Sequence, residues 1–164
     1  MSKFPLAGGR AGFLPFFICL PMVLTLHCGF LNSNALSGTE WLCADAFDPE
    51  EGAATQFPDV SQKPTEGMVR EVYNRDGELE TFDAVTGDSL LEEGAESMRW
   101  RLISRDGKEI LQVDVKFDGE WSKEEEAPPY VVKELNENRF HTVLDHTWSD
   151  GYKQYHEAKC SRMD

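Results

Sequence analysis

The sequence predicts an all-β domain, an eight-stranded antiparallel barrel with up-and-down connectivity, and three observations support this prediction. Short runs of apolar and polar residues follow one another from Met68 onwards. Turn sequences such as Asp76-Gly77 separate these runs, and they tolerate the positive φ angles that tight hairpins require. Cys43 and Cys160 lie in the first and the last of the eight runs, where a sheet that closes on itself would bring them together.

The predicted strands are joined mostly by short turns. They are residues 39–44, 68–74, 78–85, 98–104, 109–117, 130–136, 139–148 and 151–160. Segment 44–67 is rich in Pro, Gly and acidic residues, which predicts a long loop with one short helical turn after Asp48-Pro49. The acidic segments 86–97 and 118–129 predict solvated loops, and no window predicts a long helix.

The hairpin around Asp106-Gly107 gives the clearest register. A two-residue loop places three apolar pairs on one face: Leu102 with Leu111, Trp100 with Val113, and Met98 with Val115. The residues between them, including Arg99 and Lys116, are polar and are predicted to face solvent. A half-buried antiparallel pair requires this separation, so the apolar face is predicted to point into the barrel.

The last hairpin predicts a similar arrangement. A three-residue loop over 149–151 sets Trp148 against Tyr152. The same register places three further pairs on one face: Leu144 with His156, Thr142 with Ala158, and Phe140 with Cys160. Trp41 and Cys43 share a face of the first strand, because side chains alternate along a strand. The register of segment 130–136 and that of the first Asp-Gly hairpin stay open.

The N-terminal segment 1–35 has the layout of a secretory signal. Two basic residues precede an uncharged apolar run over 13–31, and Ser33-Asn34-Ala35 forms a small-x-small cleavage site. This layout predicts a signal peptide over 1–35, a barrel domain over 36–164, and an exported protein that is periplasmic or secreted. Two alternatives stay open, namely an uncleaved membrane anchor and a lipoprotein modified at Cys28.

Cys43 and Cys160 are the cysteines that such a mature chain keeps. An exported chain with an even number of cysteines favours a disulfide bond between them. The alternatives are two free buried thiols or a metal-binding pair, although no CxxC spacing exists. Closure of the barrel would place both residues at the seam between the first and the last strand, where the bond would close a long loop.

Composition and charge restrict the function. The chain has 164 residues and 40% hydrophobic content, which is enough for the core of one domain. Its net charge of -14 argues against binding to nucleic acid or to an anionic membrane surface, because both are negatively charged. An acidic surface serves solubility first. A basic protein partner stays open, and membrane contact is expected only through a retained N-terminal segment.

Three segments resemble lipocalin-like (calycin-type) proteins, in particular the small bacterial members that are exported. They are LSGTEWLC at 36–43, similar to the opening strand, YNRDGELETF at 73–82, similar to the next hairpin, and SDGYKQYHEAKC at 149–160, similar to the closing strand. The resemblance implies a barrel in which Gly38, Trp41 and Arg162 are structural residues, with Arg162 packed over the tryptophan. The Thr-Asp-Tyr motif of larger lipocalins is missing. The sequence also lacks the Ser-Gly-x-x-Tyr loop of the periplasmic lysozyme inhibitors, which are another exported barrel family.

No motif in the sequence predicts catalysis, a metal or a cofactor. There is no Gly-x-Ser-x-Gly, no phosphate-binding loop and no uncommitted Cys-His pair. Acidic pairs such as Glu92-Glu93 lie in predicted loops, where carboxylates are solvated rather than held in a pocket of low dielectric. His141 and His146 lie on opposite faces of one predicted strand, and a third ligand beside His156 is not evident. We therefore expect a protein that is not an enzyme.

The predicted function is non-catalytic binding of a small apolar ligand inside the barrel. An eight-stranded barrel either packs solid or holds one small ligand, so its inner face is the candidate site. The predicted lining is Trp41, Met98, Trp100, Leu102, Leu111, Val113, Val115, Phe140 and Leu144. The alternative is an envelope or inhibitor-type protein with a solid core, whose acidic outer surface contacts a basic protein.

Overall fold

The computed structural model describes residues 35–123 and 125–163, which form the predicted all-β barrel. Its elements are β1 (Thr39–Ala46), α1 (Pro49–Ala54), β2 (Met68–Tyr73), β3 (Glu78–Asp83), β4 (Ala95–Arg105), β5 (Lys108–Phe117), β6 (Glu120–Trp121), β7 (Tyr130–Leu135), β8 (Arg139–Thr147) and β9 (Lys153–Met163). Eight strands close into an antiparallel ring in chain order, because β1 pairs with both β2 and β9 and β4 pairs with β5. The short strand β6 pairs with β5 outside this ring.

A disulfide bond joins the first strand to the last, as the sequence predicts. Cys43 and Cys160 are directly opposite in the β1–β9 register, and both are fully buried. The alternatives of two free thiols and of a metal-binding pair are therefore wrong. The bond spans 117 residues of chain, which corresponds to about 4–5 kcal/mol of stabilisation in the chain-entropy model.

Both predicted hairpin registers are confirmed. In β4–β5 the pairs are Leu102 with Leu111, Trp100 with Val113, and Met98 with Val115. In β8–β9 they are Leu144 with His156, Thr142 with Ala158, and Phe140 with Cys160. In the β4–β5 hairpin the turn residues account for the agreement between the predicted and the observed register. Asp106 and Gly107 both adopt positive φ angles, as a tight two-residue hairpin turn requires.

The structure establishes the two registers that the sequence leaves open, and a bulge explains the ambiguity of the β7 register. The β7–β8 register shifts between Val132 and Glu134. An extra residue at such a bulge reverses the alternation of side chains, so Val132 and Leu135 both pack against the core although their numbers differ in parity. In β2–β3 the pairs include Tyr73 with Leu79, which places Tyr73 inside the barrel.

The outer face of β4–β5 is polar, as predicted, but part of it is buried. Gln112 and Asp114 are each 2% exposed, because Trp121 and Ala127 from the predicted loop lie against this face. The Arg99 guanidinium lies 4.3 Å from the centre of the Trp121 ring, and the Gln112 amide donates to the Ala127 carbonyl oxygen at 2.8 Å. The prediction that 118–129 is a freely solvated loop is therefore wrong for the residues that make these contacts.

One half of the barrel interior is packed solid by aromatic side chains. The rings of Trp41 and Phe140 have centroids 5.7 Å apart, and Tyr73 lies 5.4 Å from Trp100 and 5.8 Å from Phe140. Leu36 is fully buried in the same cluster. Such aromatic pairs stabilise a core beyond the area that they bury, so this closed half supplies much of the packing energy of the domain.

The helix α1 packs against the outside of β9. Asp48 caps its N-terminus by accepting from the Glu50 amide at 2.7 Å, which confirms the predicted helical turn. Lys159 Nζ donates to the carbonyl oxygens of Gly52 and Thr55 at 2.7 and 2.8 Å. A Cβ atom at Gly52 would clash with the side-chain ends of Glu157 and Tyr155, so a larger residue here requires those side chains to shift.

The predicted signal peptide up to Asn34, together with the alternative at Cys28, lies outside the described residues. Among the helices that the structure describes, none has the length and apolar character needed to cross a membrane.

Candidate functional site

The other half of the barrel contains a cavity of about 290 Å³. Its walls are mainly apolar, and they come from strands on all sides of the barrel: Val69, Leu79, Met98, Leu111, Val113 and Ala158. Phe47 and Leu90 also contact the cavity, and they are 71% and 47% exposed. The cavity therefore reaches the surface through a mouth with apolar side chains at its rim.

A group of polar side chains lies on one wall of this cavity. It consists of Asp45, Glu71, Tyr73, Tyr130 and His156, and we call it the polar wall. His156 Nε2 lies 3.4 Å from Asp45 Oδ2, while His156 Nδ1 shares a hydrogen bond of 3.0 Å with the Tyr130 hydroxyl. The Tyr73 hydroxyl donates to Glu71 Oε2 at 2.7 Å. The cavity thus combines an apolar surface with a few convergent polar groups, as ligand sites do.

The ionisation of the polar wall is strongly perturbed. Burial, together with the negative charge of Asp45, raises the pKa of Glu71 from 4.5 to about 7, against the lowering effect of the hydrogen bond from Tyr73. Burial also raises the pKa of Tyr130 to about 12, and it raises the pKa of Tyr73 well above its ordinary value. Both phenols are therefore neutral at physiological pH, whereas Glu71 exchanges its proton near neutrality.

Two atoms of the polar wall are buried without a hydrogen-bond partner among the described residues. They are Asp45 Oδ1 and His156 Nε2. A buried polar atom that lacks a partner costs about 1–3 kcal/mol, and native proteins leave few such atoms. These two atoms therefore mark the place where a polar group of another molecule would be stabilised.

The predicted lining residues divide between the two halves of the barrel. Met98, Leu111 and Val113 line the cavity. Trp41, Trp100 and Phe140 belong to the packed half, and Leu102 packs against it. Val115 lies opposite Met98, and Leu144 is buried opposite His156. The inward face is thus the predicted one, but the cavity occupies only the half nearest the Phe47 end of β1.

Sequence reasoning placed one member of the polar wall, His156, on the inward face opposite Leu144, but it did not predict the group as a site, although a signal for Asp45 was present. Asp45 has the same parity as Trp41 and Cys43, so alternation alone places it inside the barrel. Glu71 could not be placed because the β2 register was open. Tyr130 lies before the β7 bulge, whose position no sequence pattern shows.

The remaining histidines and the cysteines do not extend the site. His141 lies on the outer face, where its Nε2 is 2.7 Å from Glu157 Oε1, and the ring of His146 packs edge-on against Trp148. Donor atoms of Cys43, Glu71 and Cys160 lie within 4.8 Å of one another, but the disulfide bond occupies both sulfur atoms. Within the described residues this group is therefore not a metal centre.

Arg162 lies opposite Trp41 in the β1–β9 register, at the end of the barrel away from the cavity, and it is exposed.

Compared with known proteins, the sequence matches no family model and no curated protein. The closed eight-stranded antiparallel barrel is consistent with a lipocalin-like fold, and its buried disulfide is compatible with an oxidising extracellular compartment.

Proposed function

We propose that this protein is an exported, lipocalin-like binding protein that holds one small, largely apolar ligand in its barrel cavity. The observation that carries the proposal is the cavity of about 290 Å³, with apolar walls and an open mouth. No catalytic step is assigned to it. Export after cleavage at Ala35 is part of the proposal, and the disulfide bond between Cys43 and Cys160 supports it because such bonds persist in oxidising compartments.

The size of the cavity favours a compact ligand. Ligand pockets in proteins commonly measure about 300–1,000 Å³, so this one lies at the small end of the range. The solid packing of Trp41 and Phe140 in the other half of the barrel blocks deeper penetration. A small aromatic or alicyclic molecule fits these limits better than a long acyl chain does.

The mouth of the cavity also supports ligand binding. Phe47 is 71% exposed, and its ring lies parallel to that of His156, with 4.9 Å between the centroids. Leu90 is 47% exposed on the loop between β3 and β4. A ligand that contacts these side chains would remove apolar surface from water, and each buried Å² contributes about 25 cal/mol.

Binding of a neutral apolar dye tests this proposal. N-phenyl-1-naphthylamine should bind saturably at about one molecule per protein, with increased fluorescence. Met98→Trp should weaken this binding at least tenfold, because the larger ring occupies the cavity. Lys133→Ala is the matched control, since Lys133 is exposed on the outside of β7 and the variant should bind as the wild type does.

The outcome that contradicts the proposal is a folded protein without saturable dye binding, or a Met98→Trp variant that binds normally. Either result would favour the alternative in which the acidic surface contacts a basic protein. Native mass spectrometry of protein purified from its natural source would then complete the comparison, because a retained small molecule supports ligand binding and a retained basic protein supports the alternative.

A further inference from the structure

The polar wall of the cavity carries more negative than positive charge. Asp45 on β1 and Glu71 on β2 are acidic, and within 35–123 and 125–163 His156 on β9 is the one basic side chain that lines the cavity. Among the described residues, no lysine or arginine forms an ion pair with either acid. An inward pair of acids in an apolar cavity is costly unless a positive charge compensates it.

Other buried acids in this protein do have cationic partners. Asp114 accepts from Arg99 at 2.8 Å and from Arg101 at 3.1 Å. Glu157 is 3.3 Å from Lys159 and accepts further hydrogen bonds on the outer face of the barrel. Among the described residues, by contrast, Asp45 has only the His156 ring at 3.4 Å and Glu71 pairs with no lysine or arginine, so a positive charge on a ligand would compensate both acids.

We propose that the ligand of the cavity carries a protonated amine, which binds to Asp45 beside His156 while its apolar body contacts Met98, Leu111 and Phe47. This inference rests on the proposed function. An ammonium group has three N–H donors, so it can donate to Asp45 Oδ1, and also to His156 Nε2 in the tautomer whose Nδ1–H donates to the Tyr130 hydroxyl oxygen. Glu71 adds a second negative charge at the same wall.

Two other kinds of ligand fit the polar wall less well. An anionic ligand would be repelled by Asp45 and would leave its buried oxygen without a donor. A bare metal ion needs donor atoms that converge on one point, and the described residues do not place Asp45, Glu71 and His156 within 4.8 Å of one another as such a group. An organic cation needs no such convergence, because its body also contacts the apolar walls.

Ionisation of the polar wall provides an independent readout. The titratable groups that face Glu71 are Asp45 on β1, Tyr73 on β2, Tyr130 on β7 and His156 on β9. Burial and Asp45 raise the pKa of Glu71 to about 7, and a bound cation would lower it again. Binding of an amine near pH 7 should therefore release a fraction of a proton, whereas binding of a neutral molecule should not.

The experiment compares three probes of similar size and different charge: 2-phenylethylamine, 2-phenylethanol and phenylacetate. Each displaces the neutral dye from the wild-type protein at pH 7.5, and calorimetry in two buffers of different ionisation enthalpy measures proton release. The amine should bind about tenfold or more tightly than the alcohol, because a charge-assisted hydrogen bond replaces a neutral one. The acid should bind most weakly.

Asp45→Asn should remove the preference for the amine, and Glu137→Gln is the control because Glu137 is exposed in the turn between β7 and β8. If Asp45→Asn does not fold, the three probes are compared on Glu71→Gln instead, and proton release is measured with the wild type. Equal binding of amine and alcohol overturns the amine inference and leaves the proposed function intact. Failure of the dye and of all three probes to bind overturns both.

Discussion

The raised pKa of Glu71 predicts how stability depends on pH. Burial, with the charge of Asp45 as the second cause, raises this pKa from 4.5 to about 7 in the folded protein. The folded state therefore binds the proton more tightly than the unfolded chain does. The stability from this proton is fully present below about pH 4.5, and it is lost as the pH rises through about 7.

The magnitude follows from the two pKa values. Each pKa unit corresponds to about 1.4 kcal/mol, so the difference between 4.5 and about 7 corresponds to about 3 kcal/mol. Glu71→Gln mimics the protonated carboxyl and keeps an oxygen that accepts from the Tyr73 hydroxyl. The variant should thus exceed the wild type in free energy of unfolding by up to about 3 kcal/mol at pH 8, and by little at pH 4.

Urea denaturation at pH 4 and pH 8, followed by tryptophan fluorescence, measures this difference. Glu137→Gln is the matched control, because it removes an exposed carboxylate from a turn and should change the free energy of unfolding little at either pH. The reasoning is refuted if Glu71→Gln is less stable than the wild type at pH 8, or if its effect is the same at both pH values.

Three further predictions concern stability and processing. Cys160→Ser should lower the free energy of unfolding by about 2–5 kcal/mol, and both native cysteines should resist thiol reagents without reductant; rapid labelling would contradict the disulfide bond. Gly52→Ala should loosen the contact between α1 and β9, because its Cβ would displace the buried carboxylate of Glu157, so limited proteolysis should cut segment 47–67 faster than in the wild type. N-terminal sequencing of the exported protein should begin at Leu36, and an acylated Cys28 would instead show a lipoprotein.

The strand order and two hairpin registers could be predicted because local turn chemistry determines them. Asp106-Gly107 accepts the backbone angles of a two-residue turn, so the pairing of Trp100 with Val113 follows without knowledge of the rest of the chain. The disulfide followed from the strand order, because closure brings Cys43 beside Cys160.

The division of the interior into a packed half and a cavity could not be predicted in this way. Trp100 and Met98 lie on the same face of β4 and are both apolar, yet Trp100 belongs to the packed half while Met98 lines the cavity. This difference depends on residues from strands distant in sequence, such as Phe140 and Tyr73, whose rings fill one end. The alternation of side chains along a strand predicts which face a residue lies on, but not its position along the barrel axis.

The contacts of segment 47–67 also could not be predicted from the sequence pattern. The close approach of Gly52 to Glu157 joins residues far apart in the chain, and it needs a lysine on β9 to complete the helix terminus. Nothing in the local composition distinguishes this glycine from those in exposed turns, because its requirement comes from a neighbour rather than from its own backbone angles.

The position of the disulfide bond between the two halves has a consequence for the engineering of new binders. Cys43 lies between Trp41, which belongs to the aromatic end, and Asp45, which faces the cavity. The disulfide bond and the aromatic cluster hold the strands together next to the cavity. Substitutions at Val69, Leu79 or Met98 therefore alter the shape of the cavity without removing the bond or the cluster. A library randomised at Val69, Leu79 and Met98 should therefore yield folded members whose cavities differ in shape, which would make the barrel a suitable scaffold for new binders.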